Sequence, residues 1–432
     1  MRNWILVLVI LPLAHAGAAP SPEPADMLLV NGNVITVDKA FSFAEAVAIR
    51  DGLIAAVGTS KDLRKLQDEK TEVIDLKGAT VVPGFIDSHA DHLPFGSDLA
   101  QEISAYGLTT VHVPLDAKSF DRVKQLAADG KLPFRVYAKR TDPDPTKPPE
   151  IGLHANHVTS RCAWIAYIDG PMQSRTAALV EPYSDAPKES GKLRHRTEDL
   201  VKKAKELMGA GYQIMMKTIG DGGARQALDV IEQAQKDAKA GDLRPMIHRL
   251  QHVHPDDLPR LKKLGVVVSM APGHCISDIP WAEQRLGPNR VKFAYAWKTV
   301  AEQAAGLGFE TDGPIPPFGS DRVWKKPLTS QFNPLLSIYW SVTRADHEGS
   351  PNGGWHAEEC VSIKTALKAF TINGAFNGFE EKLKGSIEAG KLADLAILSK
   401  DILKISAIEL LETKVRMTLL GGKIVFKSQD WK

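Results

Sequence analysis

The chain has 432 residues, 43% of them hydrophobic and 25% charged, with 34 Gly and 27 Pro. That composition is globular and excludes fibrous and low-complexity chains. With 54 Lys+Arg against 52 Asp+Glu the net charge is +2, which predicts no nucleic-acid surface; three scattered cysteines (Cys162, Cys275, Cys360) exclude a disulfide scaffold.

At the start, Arg2, an apolar run over 4–11 and the small-residue site Ala14-His15-Ala16 follow the order of a secretory signal peptide. The run is shorter than the roughly 20 residues that a membrane-spanning helix needs. The expectation is an exported protein, periplasmic or extracellular. Residues 1–19 are the leader and the start of a Pro-rich spacer, with no stable membrane insertion after cleavage.

Residues 27–30 and 34–37 flank Asn31-Gly32 and read as a hairpin about a type I′ turn. The device repeats around Asp51-Gly52, with strands over 46–50 and 53–57, and 72–76 adds another strand. Near the end, a strand over 392–398 precedes a hairpin of 414–420 and 423–426 around Gly421-Gly422. The two β-rich ends predict one composite β-sandwich domain, built from residues 26–81 and 384–430. Between them, over 82–380, strands alternate with helices. Strands are predicted over 80–85, 108–113, 134–138, 162–168, 212–218, 246–253, 266–270 and 306–311. Asp98 can cap a helix over 99–106. Thr197 can cap one over 200–208, where Leu200, Ala204 and Leu207 recur at helical spacing; further helices are predicted over 223–240 and 257–264. Eight strands with intervening helices predict an α/β fold, a (β/α)8 barrel whose chemistry lies at the strand C-termini. No GxGxxG follows a strand, which argues against an open doubly wound sheet.

The run Val82-Pro83-Gly84-Phe85-Ile86-Asp87-Ser88-His89 resembles the first barrel strand of the amidohydrolase superfamily. Further motifs follow in order: Asp169-Gly170, Ser174-Arg175-Thr176-Ala177, Ile219-Gly220-Asp221, Ser269-Met270-Ala271-Pro272-Gly273-His274, Gly319-Ser320-Asp321 and Asn333-Pro334-Leu335. Together they resemble the amidohydrolase 3 branch, which includes N-substituted formamide deformylases. The resemblance covers nearly the whole chain after the leader. It implies a divalent metal at the barrel mouth, zinc first among the candidates. It also implies a small-molecule substrate, an N-acyl or N-formyl amine whose carbon–nitrogen bond is hydrolysed by metal-activated water.

Residue by residue, the resemblance implies metal ligands at His89, at Asp91 (where the family has a second His) and at Asp321. Asp321 also takes the catalytic proton-transfer role. Asp312, directly after the eighth strand, is the alternative to Asp321. Lys217 stands at a family His and is read as catalytic, either as a nucleophile of lowered pKa or as an ion-pair partner. His248 and Arg249 stand where the family has Glu and a ligand His, and Ile165 where it has Lys. His274, Arg249 and Asp169 are read as substrate-binding, with a structural turn as the alternative for Asp169. Strand alternation puts His248, His252 and His254 on one face and Arg249 on the other. A one-residue slip would exchange the faces. These exchanges open a second reading, a metal-free barrel in which Lys217 and Arg249 pair with Asp91 and Asp321, and which binds a small molecule without catalysis.

Overall fold

The computed structural model describes residues 23–91, 93, 95, 102–236, 241–313 and 332–431. Eight strands succeed one another around a single sheet: β1 (Phe85–Asp87), β2 (Leu108–Leu115), β3 (Arg135–Arg140), β4 (Val158–Tyr167), β5 (Gln213–Thr218), β6 (Met246–Arg249), β7 (Val267–Met270) and β8 (Gly306–Phe309). Every successive pair is parallel. The ring closes just beyond the ends of β1 and β8. Ser88 N–H donates to the Phe309 carbonyl at 3.0 Å, and Asp312 N–H donates to the His89 carbonyl at 3.2 Å. The Asp87 carboxylate accepts the Thr311 N–H at 3.0 Å and also the Thr311 hydroxyl. This is the (β/α)8 barrel that the alternating pattern predicts.

The first barrel strand is shorter than its hydrophobic run. Thr80–Pro83 belongs to a different sheet, and the break falls at Gly84. A Cβ there would lie 2.3 Å from the Thr109 side chain, so only glycine lets the chain pass from one sheet to the other. The outer helices bury the faces that their spacing predicts: helix Thr197–Gly209 buries Leu200, Ala204 and Leu207. Thr197 is its first helical residue and not its cap; Arg196 holds the cap position without a side-chain bond. The expected cap at Asp98 lies outside the described residues.

The two chain ends meet in a pair of sheets. One sheet runs Leu53–Gly58, Ala46–Arg50, Met27–Val30, Glu72–Asp75. The other runs Lys423–Lys427, Val415–Leu420, Leu395–Leu398, Thr80–Pro83, Asn33–Ile35, Phe43–Ala44. Leu29, Val47 and Ile49 from the first sheet pack with Val81, Leu395 and Leu419 from the second in one apolar cluster. The hairpins at Asp51-Gly52 and Gly421-Gly422 form, and all four turn residues have positive φ. The hairpin expected at Asn31-Gly32 does not form. Met27–Val30 pairs with Ala46–Arg50 and Glu72–Asp75, whereas Asn33–Ile35 joins the other sheet. The turn there passes the chain between layers. Among the described residues no helix is long and apolar enough to cross a membrane.

Candidate metal centre and its cavity

The inward side chains of the barrel stack in layers of rising polarity. Tyr137, Cys162, Met215, Met246 and Val267 form an apolar floor. Above them lie Lys139, Trp164, His248, Ser269 and Glu310. Lys139 Nζ donates to the Ser88 carbonyl at 2.7 Å and faces His89 Nδ1 at 3.3 Å. His248 Nδ1 lies 3.0 Å from Ser269 Oγ and 3.1 Å from Glu310 Oε2, and its ring meets that of His89 at 4.0 Å between centroids. Lys139 and Glu310 are not singled out by motif comparison. The signal available for Lys139 is alternation along β3, which puts it on the same inner face as Tyr137.

The top layer holds the candidate metal ligands. His89 Nε2 and Asp91 Oδ1 are 3.0 Å apart, and ligand atoms of His89, Asp91 and Asp312 all lie within 4.8 Å of one another. Asp312 is placed by two partners: Arg249 Nη2 and His274 Nε2 both reach its Oδ2, the latter at 2.9 Å. Its other oxygen, Oδ1, is buried with no hydrogen-bond partner among the described residues.

Both side chains of the His248-Arg249 pair point into the barrel, against regular alternation. Arg249 has φ +77° and Leu250 φ +41°. Two successive left-handed residues without glycine cost roughly 1–3 kcal/mol each. Here they turn Arg249 back over the mouth while His248 stays on the inner face. The sequence alternatives, His248 or Arg249 inward, are both realised. His252 instead faces Asp221 at 3.6 Å, and His254 caps the turn Pro255–Asp257.

The electrostatics suit a divalent cation. Burial, together with the Lys139 ammonium beside it, pushes His89 down to about 4, so the ring is neutral at pH 7 and can offer a lone pair. Burial works to raise the Asp91 carboxyl, but neighbouring His89 outweighs it and Asp91 settles at about 2. Burial likewise opposes ionisation of Asp312, yet Arg249 and His274 hold it well below the usual carboxylate range. One neutral imidazole and two ionised carboxylates, one carrying an orphaned buried oxygen, form a donor set that fits such an ion. The metal-free alternative is not supported, since Asp91 pairs with His89 and not with Lys217 or Arg249.

Beside this cluster opens a cavity of about 500 Å³, lined among others by Lys217, Arg249, His274, Met172, Ile219 and Trp281. Lys217, at the end of β5, lies 5.1 Å from the Tyr167 ring centre. His274 opens helix Pro272–Arg290 and borders both cavity and cluster. Asp169 also lines the cavity, but its carboxylate accepts the N–H groups of Ala178 at 2.9 Å, Ile219 at 2.9 Å and Gly220 at 2.8 Å. It ties three backbone segments together, as its turn reading anticipates. Ile165 packs in the outer core, away from the cluster. A register shift between Trp164 and Ala166 lets Trp164 and Tyr167 stack at 4.8 Å while Ile165 turns outward. Asp321 lies outside the described residues, and the carboxylate brought to His89 and Asp91 is that of Asp312.

Residues 97–426 match the amidohydrolase family in its Amidohydro_3 group. The amidohydrolase YtcJ of Bacillus subtilis is 27% identical over 328 residues, which is 76% of this chain but 58% of that relative. The N-substituted formamide deformylase of Arthrobacter pascens is 48% identical over 68 residues, 16% of this chain and 12% of that protein. The chain thus spans little more than half the length of YtcJ. A metal-dependent hydrolase of Pyrococcus horikoshii shares the fold, with a TM-score of 0.73 at 22% identity, over 88% of this chain and 99% of that one.

Proposed function

The chain belongs to the amidohydrolase family, and from that membership we propose a hydrolase that cleaves the carbon–nitrogen bond of N-acyl or N-formyl amines with a divalent metal, zinc in our reading. The observation that carries the proposal is the His89, Asp91 and Asp312 cluster at the edge of the cavity. These three side chains would hold the ion. When bound, it supplies Lewis acidity towards a carbonyl oxygen and towards water.

The remaining roles fall to residues of the chain itself. Arg249 and His274 fix the Asp312 carboxylate in place and keep it ionised. An aspartate so strongly held in its charged form is a good ligand and a weak base. His274 is better suited to carry the proton: its Nε2 is oriented by Asp312, and its Nδ1 makes no hydrogen bond among the described residues. In this role Nδ1 takes a proton on the cavity side and returns it to the leaving amine. Met172, Ile219 and Trp281 shed water around the apolar part of the substrate. The apolar leader over 4–11 and the site Ala14-His15-Ala16 support export, so the substrate would be met outside the cytoplasm.

The test combines metal analysis with amine release. Protein purified without chelator should carry about one divalent ion per chain and release primary amine from members of a panel of N-formyl and N-acetyl amines. Chelation should stop the release and added zinc should restore it. Absence of bound metal, or release that survives chelation, would overturn the proposal.

A further inference from the structure

We infer that the cavity selects amides carrying a carboxylate beside the scissile bond, and that Lys217 is the residue that binds it. The inference depends on the hydrolase reading above only for the fate of the bound molecule, not for its binding.

Lys217 stands where the metal cluster meets the cavity. Among the described residues it has no ion pair and no hydrogen bond; its one close partner is the face of Tyr167. Most of the other charged groups around it are already engaged, although Arg194 lines the same wall. Arg249 is paired with Asp312 and faces Glu310 at 3.6 Å. Asp169 is filled by its three backbone donors. Asp278, also on the cavity wall, accepts from the Tyr295 hydroxyl and from Ser277 Oγ at 2.8 Å. The wall carboxylates Asp169 and Asp278 are thus held by other donors, and a half-buried ammonium without a close acceptor is incompletely solvated.

The charge balance of the mouth points the same way. A divalent ion offsets the two carboxylates that hold it, Asp91 and Asp312. Next to the cluster Lys139, Lys217 and Arg249 then remain, with Glu310 against them, while Arg194 stands with Asp169 and Asp278 farther along the cavity wall. The loaded site carries a positive surplus that attracts an anion and repels a substrate with a second ammonium. Met172, Ile219 and Trp281 on the same wall accept an apolar side arm. The ligand class that satisfies both features is an N-acylated amino acid, or a similar acidic amide, with an apolar side chain.

Binding without turnover tests this. Calorimetric titration of the whole metal-loaded protein with 3-phenylpropionate, and with 3-phenylpropan-1-ol as its uncharged counterpart, isolates the carboxylate. The acid should bind about tenfold more tightly. Lys217→Met should bring acid and alcohol to the same affinity, and retained alcohol binding would show that the variant is folded. Lys217→Arg should keep the preference. Equal binding of acid and alcohol by the unaltered protein, or a preference that survives Lys217→Met, would overturn the inference. The amine-release assay is independent of these outcomes. A Lys217-dependent acid preference without amine release sustains the anion site and removes the hydrolase reading. Release from neutral amides without acid preference does the reverse.

Discussion

Arg135 and Arg249 are both buried and both paired with an aspartate, one at the start of β3 and the other at the end of β6. Arg135 donates to Asp394 through Nε at 2.7 Å and Nη2 at 2.8 Å, and its Nη1 reaches the Asn156 carbonyl. Asp394 in turn accepts the Gly421 N–H at 2.8 Å, so every strong donor and acceptor of the pair is used. Asp394 immediately precedes Leu395–Leu398, and the pair rivets barrel to sandwich. At the mouth the same two residue types leave Arg249 Nη1 and Asp312 Oδ1 buried and unmatched among the described residues. Leaving such atoms unmatched costs free energy that a purely structural pair avoids. The difference separates a joint that is complete as folded from one prepared for a further ligand.

The sharpest way to break that comparison is to remove one partner from each side. His89→Ala should strip the bound metal and lower amine release by about three orders of magnitude, with little change in unfolding free energy relative to the metal-free unaltered protein. Metal analysis and urea titration read the two effects. Arg135→Ala should do the opposite. It strands Asp394 and should cost about 3–5 kcal/mol of stability while metal content per folded chain stays unchanged. Loss of metal in the second variant, or a large stability loss in the first, would erase the distinction.

Two smaller effects refine it. Asp169→Ala orphans three backbone N–H groups near the cavity and should cost about 1–3 kcal/mol for each that water cannot reach. If Asp169 instead served mainly as a substrate contact, KM would rise without that loss. Asp278→Asn probes a buried carboxyl that burial raises to about 7. The native chain keeps this proton where the unfolded chain, with an ordinary carboxyl near 4, releases it. Stability should therefore fall as pH rises from about 4 to about 7, by up to about 1.4 kcal/mol per unit, and then level off. Asn should remove that slope, as thermal melts across the window would show.

The barrel is legible in the sequence because most strands are short apolar runs and several are followed by a helix with a clear apolar stripe, as at Thr197–Gly209. Seven of the eight strands overlap their predicted ranges closely, while the run over 80–85 divides between the sandwich strand Thr80–Pro83 and the start of β1 at Phe85. What the sequence hides is local backbone irregularity. The register shift between Trp164 and Ala166 and the left-handed pair Arg249-Leu250 each overturn simple alternation. Their residues carry no glycine or proline to announce it. The failed hairpin at Asn31-Gly32 shows the converse, a strong turn signal used to pass between sheets. His89 and Asp91 are legible because a period of two carries both to one side. Asp312 is less so, because the Gly-Ser-Asp motif draws attention to Asp321, outside the described residues.

The closure of the ring between β1 and β8 rests on few bonds, and those bonds join the segments that bear His89 and Asp312. An ion gripped by both is therefore also a clasp across the barrel's shortest seam. Its arrival should slow hydrogen exchange at the Ser88, Thr311 and Asp312 amides, while amides between β2 and β3, paired over six registered positions, exchange as before. Filling the site and fastening the barrel are then one event, recorded in the rate at which three amides trade their protons with water.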